Sequence, residues 1–349
     1  MTDTSSVTAA AHPNLALVKY WGQRDPVLNL PANASISLNL SGGRTLTRVT
    51  FDVTLSQDVV RINGRQADAD AYDRVVDHLE RIRVMAGIPS RAHVDSRNDF
   101  PMAMGMASSA SAFAALSLAA TRALGLQLSP QALSILARKG SGSACRSIPD
   151  GFVEWSAGER DETSFARSIA APDHWALRVV SVTFGESRKG ISSRQGHRVA
   201  ETSPFYQARL SQLPGTLRAV RSAILNRDLR TLGMHAEREA ISLHCIAMTS
   251  RLAGQPHLSG IYYWRPETVQ LIRRVQQWRR DGLAVYFTMD AGSSLHLLVE
   301  TETLPTLRRK LALVAESSTW QTFVSRPARG AWVIPPDEAS RLSFQQRAP

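Results

Sequence analysis

The sequence predicts an α+β fold in two joined halves, and three observations predict it. Its 349 residues can bury more than one small core. Strand-like and helix-like segments are mixed through the first half. A run of helices followed by a closing hairpin makes up the second.

The elements follow in order. Asn14 to Val18 is an apolar, strand-like run ending abruptly in Lys19-Tyr20-Trp21-Gly22. By itself it predicts an amphipathic edge strand. Further strands are expected near Arg48 to Val53 and Ala92 to Ser96, with a helix over Ala69 to Met85 between them. Helices over Ala107 to Leu124 and Pro130 to Lys139 come next, then a strand-like Gly151 to Trp155. Leu177 to Phe184 alternates like a half-buried strand, and the polar Gly190-Ile191-Ser192-Ser193-Arg194 stretch after it reads as a loop opening the second half. Helices dominate until Val285, and Ala284 to Met289 and Leu295 to Glu300 then form a hairpin through Asp290-Ala291-Gly292-Ser293-Ser294. The expected units are residues 1–187, residues 188–335 and a tail, 336–349.

Charge narrows the function. Lys plus Arg total 41 against 30 Asp plus Glu, a formal net charge of +11, which favours anionic ligands. Nucleic acid is the rival of a different class. The arginines are spread along the chain, however, and the densest group, Arg273, Arg274, Arg279 and Arg280, holds the single aromatic Trp278 and not the repeated aromatic interleaving of single-strand binders. No basic-then-apolar leader opens the chain and no apolar run approaches the ~18 residues of a membrane span. Only Cys145 and Cys245 are present, so a reducing compartment, the cytoplasm, is expected.

Four segments carry chemistry. In Pro101 to Ser111, small and hydroxyl residues (Gly105, Ala107, Ser108, Ser109) lead into an alanine-rich helix, whose free N–H groups and dipole suit a phosphate. An ordinary capped helix gives the same pattern. Gly140 to Ser147 is a polar glycine-serine loop whose Arg146 can fork onto a carboxylate or phosphate. Arg146 on the surface of a flexible turn is the alternative, and Cys145 is a packing residue with no histidine partner evident. Lys19 and Tyr20 stand at a strand end, where both can donate to a phosphate. Asp290 stands where an apolar strand meets a glycine turn, placed for proton transfer or for local turn bonding.

Together and in this order, these segments resemble the mevalonate diphosphate decarboxylase family, a branch of the small-molecule kinases that includes galactokinase, homoserine kinase and mevalonate kinase. The likeness extends to Leu28 to Ser37, Ile191 to Gly196 and Glu201 to Pro204, and covers about Asn14 to Glu300. It implies a two-domain small-molecule kinase (GHMP-type) fold with the active-site cleft between the domains, a homodimer, and ATP with Mg²⁺ as cofactors. It implies conversion of mevalonate 5-diphosphate to isopentenyl diphosphate, CO₂, ADP and phosphate. Asp290, Lys19 and Arg146 take the catalytic positions. Tyr20, Ser141, Ser143, Ser193 and Arg194 fall at substrate-binding positions, and Gly105, Ala107, Ser108 and Ser109 at the nucleotide phosphates. No protein metal site is implied, since Mg²⁺ rides mainly on phosphates.

Two positions depart from the family pattern. Its second lysine in Lys-Tyr-Trp-Gly-Lys is Gln23 here, with Arg24 beside it as a candidate replacement, and its Asp-Ala-Gly-Pro-Asn is Asp290-Ala291-Gly292-Ser293-Ser294. A missing cation leaves phosphomevalonate decarboxylation open as an alternative, and a kinase that stops at the 3-phosphate is a third.

Overall fold

Three sheets position the site in this computed structural model, which describes residues 6–99, 108–185, 190–252, 254, 257, 259–315 and 320–344. The first is six-stranded, in the order Ala331–Val333, Ser6–Ala11, Thr45–Asp52, Arg91–Asn98, Val59–Ile62 and Arg65–Gln66. All its neighbours are antiparallel except Val59–Ile62 beside Arg91–Asn98. The second runs Ala166–Ala170, Phe152–Trp155, Ser35–Asn39 and Asn14–Val18. The third runs Tyr286–Thr288, Leu295–Glu300, Leu177–Thr183 and Gln321–Ser325, antiparallel throughout.

Helices α1 (Ala69–Ala86), α2 (Ser108–Ala123) and α3 (Pro130–Gly140) cover the six-stranded sheet. Their ends are written locally. Asp68 accepts from the Ala71 amide to cap α1, Gly87 closes it in the left-handed region at φ 68°, and Ser129 caps α3 ahead of Pro130. Alanines 110, 114, 115, 119 and 120 of α2 are fully buried, so its small face lies close on the strands.

Helices α4 (Ser193–Val199), α5 (Tyr206–Asn226), α6 (Leu229–Thr249) and α7 (Pro266–Arg280) belong to the second half. One apolar cluster joins Leu15, Leu17, Ile36 and Leu38 to Leu213 and Val220 of α5, Leu232 of α6, and Val179 and Leu298 of the third sheet. The halves therefore share a core. This corrects the amphipathic edge strand: Asn14–Val18 is at a sheet edge, but every residue is buried because α5 and α6 cover it. The hairpin forms as expected, with Phe287 opposite Leu297. Leu177–Thr183 pairs only with strands of the second half, and Ala331–Val333 returns to pair with Ala9–Ala11 of the first.

Candidate active site

Lys19 leaves the end of the Asn14–Val18 strand and Asp290 leaves the end of Tyr286–Thr288, so two different sheets deliver one ion pair. Lys19 Nζ donates to Asp290 Oδ1 at 2.7 Å and to the Ala16 carbonyl at 2.6 Å. Thr288 Oγ1 donates to the same carbonyl at 3.3 Å, which ties the two strand ends together. The backbone of Lys19 is clamped as well. Its N–H donates to Glu239 Oε2 (3.1 Å), and its carbonyl accepts from Arg209 Nη2 (2.9 Å) and Asn33 Nδ2 (2.8 Å). Arg209 of α5 and Glu239 of α6 are themselves a buried pair at 2.9 Å.

The Lys19 side chain is 1% exposed and that of Asp290 26%, so the carboxylate faces the cleft and the ammonium lies behind it. Burial pushes the Asp290 carboxyl up, but the Lys19 charge and hydrogen bond outweigh it and hold the carboxyl below the ordinary 3.8. Burial likewise pulls Lys19 below 10.5, opposed by Asp290 and Glu239. His244 Nε2 donates to the Asp290 carbonyl at 3.1 Å, and Thr268 Oγ1 of α7 donates to the Ser293 carbonyl at 2.8 Å. That second bond holds the turn where the family pattern has a proline.

Gly140 to Ser147 is not a surface loop. After α3 the chain makes a 3₁₀ turn over Gly142–Ser147 in which Arg146 is buried. Arg146 Nε donates to Asn14 Oδ1 at 3.2 Å and Nη1 to Ser35 Oγ at 2.8 Å, which fixes the guanidinium plane; among the described residues no acceptor meets Nη2. Asn14 Nδ2 also donates to the Ser143 carbonyl (3.1 Å) and Ser147 Oγ (2.8 Å), so one asparagine sets both the turn and the arginine. Cys145 is fully buried and its thiol is pushed up to about 12 by that burial, which leaves it inert.

These groups line a cavity of about 620 Å³ together with Tyr20, Gln23, Ser109, Ser141, Ser143, Ser193 and Arg194. The Tyr20 ring stands edge-on to Trp155, 4.7 Å between centroids, and 4.1 Å from the His197 ring. A Cβ on Gly142 would sit 2.8 Å from the Tyr20 hydroxyl, so only glycine lets the turn approach. Ser109 Oγ, in the first turn of α2, is 3.3 Å from Ser141 Oγ and joins the nucleotide-side segment to the Gly140–Ser147 turn. Gly105 and Ala107 lie outside the described residues, and Ser108 is described only as the first residue of α2. No group of three His, Cys, Asp or Glu that could hold a metal occurs among the described residues, and no described helix is long and apolar enough to cross a membrane.

The structure thus brings Lys19, Asp290, Arg146, Tyr20, Ser109, Ser141, Ser143, Ser193 and Arg194 to one cavity. Two expectations fail around it. The stretch read as a loop is helical from Ser193, because Ser192 Oγ accepts from the Gln195 amide and the Gln195 side chain accepts from the Ser192 amide. Arg24 does not replace the missing lysine: its Nη2 is turned to the Gly158 carbonyl at 2.5 Å, and it does not line the cavity. Sequence reading missed Asn14, Arg74, His197, Arg198 and the Arg209–Glu239 clamp. Of these, Arg198 announces itself by its four-residue spacing from the predicted Arg194 once α4 is recognised.

Residues 11–166 match the model of the diphosphomevalonate decarboxylase-like N-terminal domain, and residues 179–346 that of the mevalonate 5-diphosphate decarboxylase C-terminal domain. The chain is 30% identical over 315 residues to the phosphomevalonate decarboxylase of Haloferax volcanii, covering 90% of this chain and 94% of that protein. It resembles the crystal structure of mevalonate diphosphate decarboxylase from Staphylococcus aureus with a TM-score of 0.88 and 36% identity, over 95% of this chain and 99% of that one. It likewise resembles MDDEF in complex with MVAPP, AMPPCP and magnesium, with a TM-score of 0.87, 38% identity and the same two coverages.

Proposed function

The chain belongs to the diphosphomevalonate decarboxylase family and is an ATP-dependent decarboxylase of mevalonate 5-diphosphate in a two-domain GHMP-type fold, and we propose the following division of labour for its cleft. The observation that carries it is the meeting of Lys19, Asp290 and Arg146, from three separate elements, on the wall of one cavity.

Asp290 Oδ1 is held by Lys19, so Oδ2 takes the proton of the substrate's tertiary hydroxyl as that oxygen receives the γ-phosphoryl group. When bound, ATP with Mg²⁺ would supply that group, and phosphate then leaves from the ester where hydroxide would not. Lys19 stays protonated and stabilises the negative charge that develops beside it. Arg146 presents Nη2 to the substrate carboxylate and keeps the C–C bond aligned with the departing C–O bond. The electrons of the first then form the alkene as CO₂ leaves, and those of the second depart with phosphate.

Tyr20, Ser141, Ser143 and Arg194 grip the 5-phosphates, and Ser193 reaches the transferring phosphoryl group. Ser108 and Ser109, at the start of a sixteen-residue helix, meet the nucleotide phosphates with the backbone of Gly105 and Ala107. The division expected at residue 187 moves towards the N-terminus: Leu177–Thr183 pairs only within the sheet of the second domain and goes with it, while Ala331–Val333 returns to the sheet of the nucleotide-side domain, ahead of the 336–349 tail. A homodimer in the cytoplasm completes the proposal; both cysteines are free, as a reducing compartment asks. Light scattering on the purified protein checks the dimer.

The deciding assay offers mevalonate, its 5-phosphate and its 5-diphosphate in parallel with ATP and follows ADP and CO₂ together. Coupled release from the diphosphate is expected. Release only from the monophosphate would establish the phosphomevalonate reaction, and ADP without CO₂ a 3-kinase.

A further inference from the structure

A smaller cavity of about 190 Å³ opens off the cleft at Gln23, Asn29 and Gly140, residues that line both spaces. Its volume equals about six liquid waters, room for one phosphate and its hydration but not for a nucleoside. Five cations line it, Arg74, Arg81, Lys139, Arg194 and Arg198, against one carboxylate, Asp77.

The five are not equally engaged. Lys139 pairs with Asp161 at 2.6 Å, Arg194 with Asp70 at 3.5 Å, and Arg81 donates to the Asp77 carbonyl at 3.3 Å. Arg74 lies over the Phe113 ring at 4.9 Å and makes one long hydrogen bond, 3.5 Å to the Gly140 carbonyl, while its buried Nε meets no acceptor. Arg198 meets no acceptor among the described residues. Gln23, by contrast, is committed inward. Its Nε2 donates to Asn29 Oδ1 at 2.8 Å, and Asn29 Nδ2 in turn donates to the Arg138 and Lys139 carbonyls at 3.1 Å each.

We propose that this side chamber receives the terminal phosphate of the diphosphate substrate and that Arg198, rather than side chain 23, is the cation that meets it. Two contacts fix the helix that carries this exposed arginine. Gly196 is pressed against Trp21 so closely that a Cβ would lie 2.5 Å from its ring, and His197 Nδ1 accepts from the Gly22 amide at 3.1 Å. With α4 fixed at these points, Arg194 and Arg198 stand one turn apart on the face that lines both cavities. His197 stays neutral, because burial and then the charges of Arg146 and Arg209 lower it to about 3, so the charge offered by α4 at this face comes from its arginines. A monophosphate ends in the main cleft, at Tyr20, Ser141 and Ser143, and leaves the chamber to water.

The inference rests on the diphosphate reading above, and its test separates the two. Initial rates of CO₂ release by wild type, Arg198→Ala, Arg198→Lys and the double variant Arg198→Ala with Gln23→Lys are compared on the 5-diphosphate and the 5-phosphate. Arg198→Ala is expected to raise KM for the diphosphate about ten- to a hundredfold, as loss of one charge-assisted contact does, with kcat falling far less and KM for the monophosphate moving within about twofold. The lysine variant recovers part of the loss, and lysine at position 23 in the double variant recovers part as well. An unchanged diphosphate KM, or an equal rise for both esters, overturns the assignment of Arg198 even if wild type decarboxylates the diphosphate normally. A wild type that releases no CO₂ from the diphosphate overturns the reading beneath it instead.

Discussion

The two ends of the cleft are built on different terms. At the chemical end, Lys19 and Arg146 are buried and each is held by more than one partner: the nearby Ala16 with Asn33 and the distant Arg209 and Glu239 around the first, Asn14 and Ser35 around the second. At the phosphate end, Arg194 is solvent-exposed with one partner at 3.5 Å, Arg198 has none among the described residues, and Gln23 occupies a position the family gives to a cation. The difference follows from what each end does. Groups that stabilise a transition state act only if fixed before the reaction begins, whereas a phosphate is recognised by summed charge that several side chains can supply interchangeably. The chemical end should therefore lose turnover when altered, and the phosphate end should only shift affinity.

The sharpest way to break this comparison is Asp290→Asn. The amide keeps the shape and an oxygen for Lys19 but accepts no proton, so kcat is expected to fall about 10²- to 10⁴-fold while ATP and substrate still bind. Stopped-assay turnover beside calorimetric titration measures both. Normal turnover would remove Asp290 from proton transfer and with it the contrast between the ends.

Arg146→Ala comes next, with kcat expected to fall about 10²- to 10³-fold. The change also strips partners from Asn14 and Ser35, so melting temperature must be followed alongside. A folded variant that still releases CO₂ at the wild-type rate would mean the carboxylate is held elsewhere.

A gentler test uses pH. Because Lys19 lies below 10.5 and works protonated, the alkaline limb of kcat is expected below that value. Stability carries the opposite sign. Between the shifted value and 10.5 the unfolded chain binds more protons than the folded one at this site, so Lys19's contribution to stability rises with pH where its activity is lost. A rate profile and a set of melting temperatures over the same alkaline range separate loss of the catalytic proton from unfolding. In Asp290→Asn the limb should move lower still, since the charge opposing burial has gone.

The chemical end was also the more legible in sequence, but only in its business residues. Lys19, Asp290 and Arg146 stand at strand ends or in glycine-serine turns that local composition marks out. What holds them does not. Arg209 and Glu239 reach Lys19 from 190 and 220 residues away, and Asn14 reaches Arg146 across 132, and no local pattern encodes such pairings. Polar composition left two readings open, since Gly140 to Ser147 suits a surface turn as well as an anion grip, and it folds inward because Asn14, Ser35 and the Ser134 hydroxyl partner it. The helix α4 was legible and missed: Ser192 followed three residues later by Gln195 is a capping box, overshadowed by the glycine and serines around it. The three-residue strand Ala331–Val333 is too short to show any period.

The smallest expected effect belongs to Gln23→Lys. The new ammonium would lie near the Arg138 and Lys139 carbonyls that Asn29 now satisfies, and it would restore the family's cation at the mouth of the side chamber. It also gives up the Gln23–Asn29 bond at 2.8 Å, and Asn29 already occupies the left-handed region at φ 51°, so part of the gain is offset by loosening this turn. One charge-assisted contact, less one neutral bond of about 1 kcal/mol, leaves a few-fold to tenfold fall in KM for the diphosphate, with kcat and the monophosphate KM little moved. The side-by-side KM ratio for the two esters reads it directly. An unchanged ratio would mean that Arg198 and Arg74 already saturate the terminal phosphate, whereas a change in kcat would show that position 23 communicates with the chemical end, and that the two ends are not independent.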